Sequence, residues 1–235
     1  PNGIILVTGP TGSGKTTTLY GALGAIDRSS RNVMTIEDPV EYHLDGISQT
    51  QVNVKRGVTF AAGLRALLRQ DPDVILVGEI RDQETAQLAV QASLTGHLVL
   101  ATLHTNDAPS AITRLLDIGI EPYLVTSTLL AVLAQRLVRR TCPECKGSGV
   151  NTLPDRRGQE PRCERCYGTG YFGRVGLFEI MRVNDEIRRL TVQRADAVQL
   201  LDAAKRSGFQ PMMVDGEAKV QQGLTTMAEL ARVLG

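Results

Sequence analysis

Gly9-Pro10-Thr11-Gly12-Ser13-Gly14-Lys15-Thr16 fits the spacing G-x-x-x-x-G-K-[ST] at every position, and Thr17 follows it. A loop of this kind suits one chemistry. Its glycines let successive backbone N–H groups converge on phosphate oxygens, and the helix that begins at its end adds positive potential. Lys15 would neutralise β- and γ-phosphates, and the Thr16 hydroxyl would ligate Mg²⁺. The competing reading is a glycine-rich strand-to-helix turn in which Lys-Thr is coincidental. The flanks argue against that: Ile4–Val7 is an apolar run fit for a strand, and residues from Lys15 to about Ile26 read as a helix.

Holding a triphosphate is not hydrolysing it. Hydrolysis needs a carboxylate for the attacking water and one for the Mg²⁺ shell. In α/β sheets, ligands gather at the carboxyl ends of strands. Three apolar runs here end in polar groups: one in Glu37-Asp38-Pro39-Val40-Glu41, one in Gly78-Glu79-Ile80-Arg81-Asp82, one in His104-Thr105-Asn106. Glu37 is assigned to the water and Glu79 to the metal shell, with the two roles exchangeable. Asp38 and Asp82 are better explained as caps, the one before a proline turn and the other before a helix. His104 is placed to contact the γ-phosphate; a backbone-bonded strand-end histidine is the alternative. Charge on the γ-phosphate calls for an arginine donor, for which Arg65 and Arg69 are candidates against a solvated-surface reading. His97 falls at the opposite sheet edge and is assigned to turn structure or a subunit contact.

The four cysteines form C-x2-C-x17-C-x2-C: Cys142, Cys145, Cys163 and Cys166. Two CxxC knuckles at this spacing suit one tetrahedral Zn²⁺ with no open position, hence a structural metal. Two redox dithiols are the alternative. The intervening segment is rich in Gly, Pro and charge, and is too poor in apolar residues to fold without such help.

The elements that position these groups follow from periodicity. Val33–Ile36, Val74–Val77 and Leu98–Leu103 are continuous apolar runs alternating with helical stretches, one of them amphipathic over Arg56–Arg69 and one capped by Asp82 and stopped by Gly96. That alternation means a parallel sheet covered on both faces. Beyond Pro109, Ala111–Ile118 and Tyr123–Val138 read as two helices. Short helices follow near Asp185–Thr191, Asp196–Arg206 and Thr226–Leu234, the last with a capping box of Thr226 and Glu229. No internal repeat is visible. The expected division is an ATPase core over 1–135, a tetracysteine insertion over 136–173 and a helical subdomain over 174–235.

Composition sets outer limits. The chain has 235 residues with 26 basic and 25 acidic side chains, a net charge of +1, no Trp, four Phe and five Tyr. Near-neutral charge and few stacking aromatics count against nucleic-acid binding. A local basic face at Arg136, Arg139 and Arg140 reads more simply as solvated surface. No run reaches the roughly 20 apolar residues of a membrane span. The start, Pro-Asn-Gly-Ile without Met and running directly into a strand, suggests a fragment with upstream material missing.

Taken together, the motifs resemble the C-terminal motor region of the type II secretion ATPase E family, near relatives of the pilus-extension ATPases. The matching marks are the Walker A loop Gly9–Thr16, the acidic box Thr35–Glu41, the Walker B region Gln70–Asp82, the His box Thr95–Asn106 and the tetracysteine insertion, in that order. The resemblance implies a RecA-like P-loop NTPase domain with a mostly parallel twisted sheet, a small zinc module and a C-terminal helical subdomain. It implies ATP with Mg²⁺, one structural Zn²⁺, and a homohexamer in which an upstream domain lends arginines. It also implies a cytoplasmic protein docked on inner-membrane platform proteins, spending ATP on pseudopilus assembly and protein export. Pilus extension is the neighbouring alternative. A nucleotide-gated zinc-ribbon binding module without turnover, and a RecA-like DNA motor, are alternatives of other classes.

Overall fold

The computed structural model describes residues 2–150 and 161–235. It divides into two compact units, Pro1–Gln135 with Glu179–Phe209, and Arg136–Phe178 with Gln210–Gly235.

The first unit is built on parallel strands. β1 (Gly3–Thr8), β2 (Val33–Glu37), β3 (Ser48–Gln51), β4 (Val74–Val77), β5 (Leu98–Leu103), β6 (Leu129–Thr141) and β7 (Tyr171–Arg182) form one sheet in the order β3-β2-β4-β5-β1-β6-β7. All pairings from β3 to β6 are parallel. Their carboxyl ends therefore share one sheet edge, which is where the chemistry-bearing loops start. β5 lies between β1 and β4, and β2 lies one strand further out.

Helices cover both faces. α1 (Lys15–Gly24) buries Leu19, Tyr20 and Leu23 against Val7, Val33, Val74, Leu76 and Leu100. Side chains alternate along a strand, so Ile36 points the other way, onto α2 (Phe60–Leu67). Contact there is close: a Cβ on Gly63 would sit 2.6 Å from Ile36 Cδ1. α2 starts at Thr59, whose hydroxyl accepts from Ala62 N, and α3 (Gln83–Leu94) at Asp82, whose carboxylate accepts from Thr85 N at 2.8 Å. α4 (Ala108–Asp117) and α5 (Pro122–Thr128) follow β5; α6 (Asp185–Val192) and α7 (Ala197–Arg206) complete the unit. α7 carries a full capping box, Asp196 with Gln199.

Three expectations change. The helix read over Tyr123–Val138 stops at Thr128, and the chain continues as the 13-residue strand β6. Its Leu, Ala, Gln and Arg residues favour a helix intrinsically, but the open edge of β1 takes Leu129–Ala134 in parallel register and tertiary pairing wins. The amphipathic stretch Arg56–Arg69 is also shorter as a helix: one 3-10 turn at Val54–Arg56 precedes α2, and Arg69 lies past the end of α2. Finally, Thr226 caps α9 (Met227–Leu234) by accepting from Glu229 N, but the Glu229 side chain turns to two arginines instead of closing the box.

In the second unit, β6 and β7 continue beside the cysteine segments, with α8 (Met212–Gln221) and α9. The Glu229 carboxylate is fully buried and bonds Arg139 N, Arg139 Nη2 at 2.7 Å and Arg232 Nη2 at 2.6 Å. These bonds, Arg232's first, hold it well below the usual carboxylate range. Arg139 also lies 4.2 Å over the Tyr171 ring. Two of the residues read as a basic face are thus accounted for locally or exposed: Arg139 is an internal partner, and Arg140 faces solvent. Among the described residues, no helix is long and apolar enough to cross a membrane.

Candidate functional site

The loop between β1 and α1 takes its shape from glycine. Gly9, Gly12 and Gly14 have φ of 148°, 77° and 89°, the region that L side chains avoid. Gly14 is the N-cap of α1, so the helix begins at Lys15 with its first amides open. Ser13 N closes the turn onto Pro10 O at 3.2 Å. Lys15 folds back over the loop, donating from Nζ to Gly9 O at 2.8 Å and Pro10 O at 3.1 Å. Burial pulls the Lys15 ammonium below its ordinary pKa, and the charge of Glu79 works against that. A partly desolvated cation above open amides fits an anionic phosphate chain. Thr16 is half-buried in the first turn of α1, while Thr17, Pro10 and Thr11 are exposed.

The loop is anchored from behind. Thr8 Oγ1, at the end of β1, bonds Thr105 Oγ1 at 2.8 Å and accepts from Thr105 N at 2.8 Å, tying the β1 and β5 ends together. From β6, Gln135 Nε2 donates to Ser13 O at 2.6 Å.

Glu79 follows β4, on the edge that carries the loop. Its Oε2 accepts from Arg81 Nε at 2.6 Å, and its Oε1 lies 3.1 Å from His104 Nε2. Glu79, Arg81, His104 and Arg114 line an open cleft of about 240 Å³ with Ile80 and Leu103. Neighbouring strands are about 4.8 Å apart, so Glu79 starts roughly 10 Å from β1 and Glu37 roughly 14 Å. A triphosphate with its metal and water spans the first distance.

Glu37 is differently placed. It is 2% exposed. Its carboxylate accepts from Tyr20 OH, from Thr35 Oγ1 at 2.5 Å and from Gln49 Nε2 at 3.2 Å. Burial and the Glu37 carboxylate push the Tyr20 phenol above its ordinary pKa. Tyr20 sits on α1, so this network ties the loop's own helix to the end of β2. After it, Asp38 and Glu41 are exposed. Arg65 points elsewhere: it pairs with Glu84 at 2.7 Å on the surface, and Arg69 is exposed beyond α2. His97 bonds Ala92 O at 2.7 Å through Nδ1, within its own turn.

The structure thus sets Lys15, Glu79 and His104 on one sheet edge, buries Glu37 at the end of β2, and leaves Arg65 in a surface pair and Arg69 exposed. Sequence reasoning missed Tyr20, Gln49, Arg81 and Gln135. Arg81 carried a signal, since it lies two residues from Glu79 and so on the same face of an extended chain. The other three are brought in by tertiary packing alone.

The four cysteines converge: their Sγ atoms all lie within 4.8 Å of one another, with Cys142–Cys163 at 3.9 Å and Cys145–Cys166 at 3.6 Å. A tetrahedral Zn²⁺ with Zn–S near 2.3 Å needs edges of about 3.8 Å, so the set fits that ion. The two segments share one pattern, C-x-x-C-x-G-[ST]-G, in C-P-E-C-K-G-S-G and C-E-R-C-Y-G-T-G, an internal repeat hidden by its brevity. Gly149 N donates to Cys145 Sγ and Gly170 N to Cys166 Sγ, both at 3.3 Å. Cys142 N donates to Gly170 O and Cys163 N to Gly149 O, both at 2.9 Å. Burial opposes the Cys145 thiolate, but the Gly149 and Gly147 amides and the neighbouring thiols bring its pKa down to about 6.

The Type II/IV secretion system protein family model matches residues 1–232. The chain is 58% identical over 233 residues to the type II secretion system protein HxcR of Pseudomonas aeruginosa, covering 99% of this chain and 49% of that protein. It is 53% identical over 245 residues to the type II secretion system ATPase E of Vibrio cholerae, covering 99% and 48% respectively. Among solved structures, the pilus retraction motor PilT with bound ADP is similar at a TM-score of 0.74 and 34% identity, over 97% of this chain and 60% of that chain. The chain spans about half the length of the curated relatives it matches.

Proposed function

The chain belongs to the Type II/IV secretion system protein family, and from that premise we propose that it is the motor part of a secretion ATPase, hydrolysing ATP to ADP and phosphate. The observation that carries this reading is that the Lys15 loop and Glu79 leave β1 and β4 at the same edge of one parallel sheet. A cation folded over a glycine-rich loop feels the charge of an acid from two strands away, on one sheet edge. That edge is where a bound triphosphate and its metal would need an acid.

In this reading Gly9–Thr17 hold the phosphates, with Lys15 neutralising the β and γ groups. Thr16 and Glu79 would hold Mg²⁺, which supplies charge neutralisation when bound. Both acids are hydrogen-bonded, but Glu79 lines a solvent-facing cleft with Arg81 and His104, whereas Glu37 is buried among Tyr20, Thr35 and Gln49. In this reading Glu79 keeps its place in the metal shell and is also the acid nearest the reacting phosphate, and Glu37 acts by fixing the β2 end and the loop carrying Asp38 and Glu41. His104, 3.1 Å from Glu79, orients that carboxylate and registers loss of the γ-phosphate. Arg65 and Arg69 are not assigned to the phosphates of this chain; the missing cation comes from outside it, in a homohexamer. The tetracysteine centre holds one structural Zn²⁺.

For the whole protein, we infer attachment to inner-membrane platform proteins on the cytoplasmic side, with turnover driving pseudopilus assembly and protein export. The names of the relatives support the secretion part of this inference. The test is phosphate release by the full-length protein with and without candidate membrane partners, beside Lys15→Ala. Activity at least tenfold above the variant supports a motor; equal activity contradicts it.

A further inference from the structure

Gln135 touches the phosphate loop at both of its ends. Its side-chain Nε2 donates to Ser13 O at 2.6 Å. Its backbone carbonyl lies flush against Gly9, where a Cβ would come within 2.4 Å of that oxygen and 2.6 Å of Ser13 Oγ. The glycine opening the motif is thus required by β6 as well as by phosphate. Gln135 and Ser13 are 2% and 3% exposed. Gln135 Oε1 and Ser13 Oγ are buried with no hydrogen-bond partner among the described residues. A buried amide that leaves its own oxygen unsatisfied is held at a cost. The Ser13 carbonyl fixes its orientation, because only the NH₂ end can face an acceptor.

The consequence lies in one peptide plane. In a trans peptide, the C=O of Ser13 and the N–H of Gly14 point in opposite directions. Drawing the Ser13 carbonyl back towards β6 turns the Gly14 N–H away from β6 and out into the loop. Resting on the reading of Gly9–Thr16 as a nucleotide loop, we propose that Gln135 is its positioning residue. By holding the Ser13 carbonyl, it aims the Gly14 N–H at bound phosphate. It touches no nucleotide itself.

The experiment is Mg-ADP binding by calorimetry, with steady-state ATPase kinetics, on full-length protein. Gln135→Met keeps the volume and removes the donor. Its Kd for ADP should rise about tenfold. KM should rise in parallel with kcat within about twofold, since the amide serves ground and transition states alike. In Gln135→Glu the donor returns only on protonation, so the affinity ratio to wild type should close as pH falls from 8 to 5. ADP affinity of Gln135→Met within twofold of wild type, with only the melting temperature lowered, overturns the proposal. If Gln135→Met does not fold, a pH-independent ratio for Gln135→Glu does the same. A wild type that binds no ADP overturns the nucleotide reading beneath it, a separate and recognisable failure.

Discussion

The phenol of Tyr20, on the helix that leaves the phosphate loop, donates its proton to the buried carboxylate of Glu37 at the end of β2. One bond joins the helix after the glycine-rich loop to the loop that carries two exposed acids. It also explains why Glu37, an obvious catalytic candidate in the sequence, is enclosed. Removing one donor from a buried carboxylate costs about 1–3 kcal/mol. Tyr20→Phe should lower the melting temperature by several degrees while changing ADP affinity less than threefold. Differential scanning calorimetry with a binding titration checks both.

Arg65 spends its charge on Glu84 at the surface, with both side chains more than half exposed. Such pairs are worth under about 1 kcal/mol. Arg65→Ala in this chain should leave ADP affinity within twofold and the melting temperature nearly unchanged. A tenfold loss of affinity would return Arg65 to the phosphate site.

Glu229 makes a pH prediction. Its folded pKa is depressed, chiefly by Arg232 and then by Arg139, below the roughly 4.3 of an unfolded glutamate. The stability it contributes is fully present above that unfolded value and is lost as pH falls towards the folded one. Glu229→Gln should therefore cost about 2 kcal/mol at pH 7, and the gap to wild type should narrow below pH 4. Urea unfolding at both pH values measures the difference; an equal gap at both contradicts the assignment.

The cysteine repeat should carry one zinc per chain. Chelation should raise amide exchange in both knuckles, from Cys142 to Gly149 and from Cys163 to Gly170, because each knuckle's first cysteine amide bonds the other's last glycine. Gly149→Ala should lower zinc retention, since its Cβ would meet Gly168 O at 2.6 Å. Metal analysis after dialysis against a chelator reads out the zinc, and hydrogen exchange reads out the knuckles.

Much of this was legible beforehand. The phosphate loop, β4, β5 and their polar ends follow from local rules, because a buried parallel strand must be apolar and a phosphate turn must be glycine-rich. The four cysteines follow from metal geometry. β6 did not: Leu130-Ala-Val-Leu-Ala-Gln-Arg136 is helix-forming by propensity, and only the unfilled edge of β1 makes it a strand. Losing β6 also lost Gln135, whose use depends on that pairing. Glu37 was found but its surroundings were not, since Tyr20 and Gln49 reach it from 17 residues before and 12 after. No spacing rule contains that convergence.

In the proposed mechanism Lys15 and Glu79, from separate strand ends, act on one triphosphate. The most direct measurement is ATP binding and single-turnover hydrolysis in full-length wild type, Lys15→Ala and Glu79→Gln. Lys15→Ala should lose binding. Glu79→Gln should bind ATP within about threefold of wild type and hydrolyse it about a hundredfold more slowly. Glu79→Gln turning over at the wild-type rate would contradict the account.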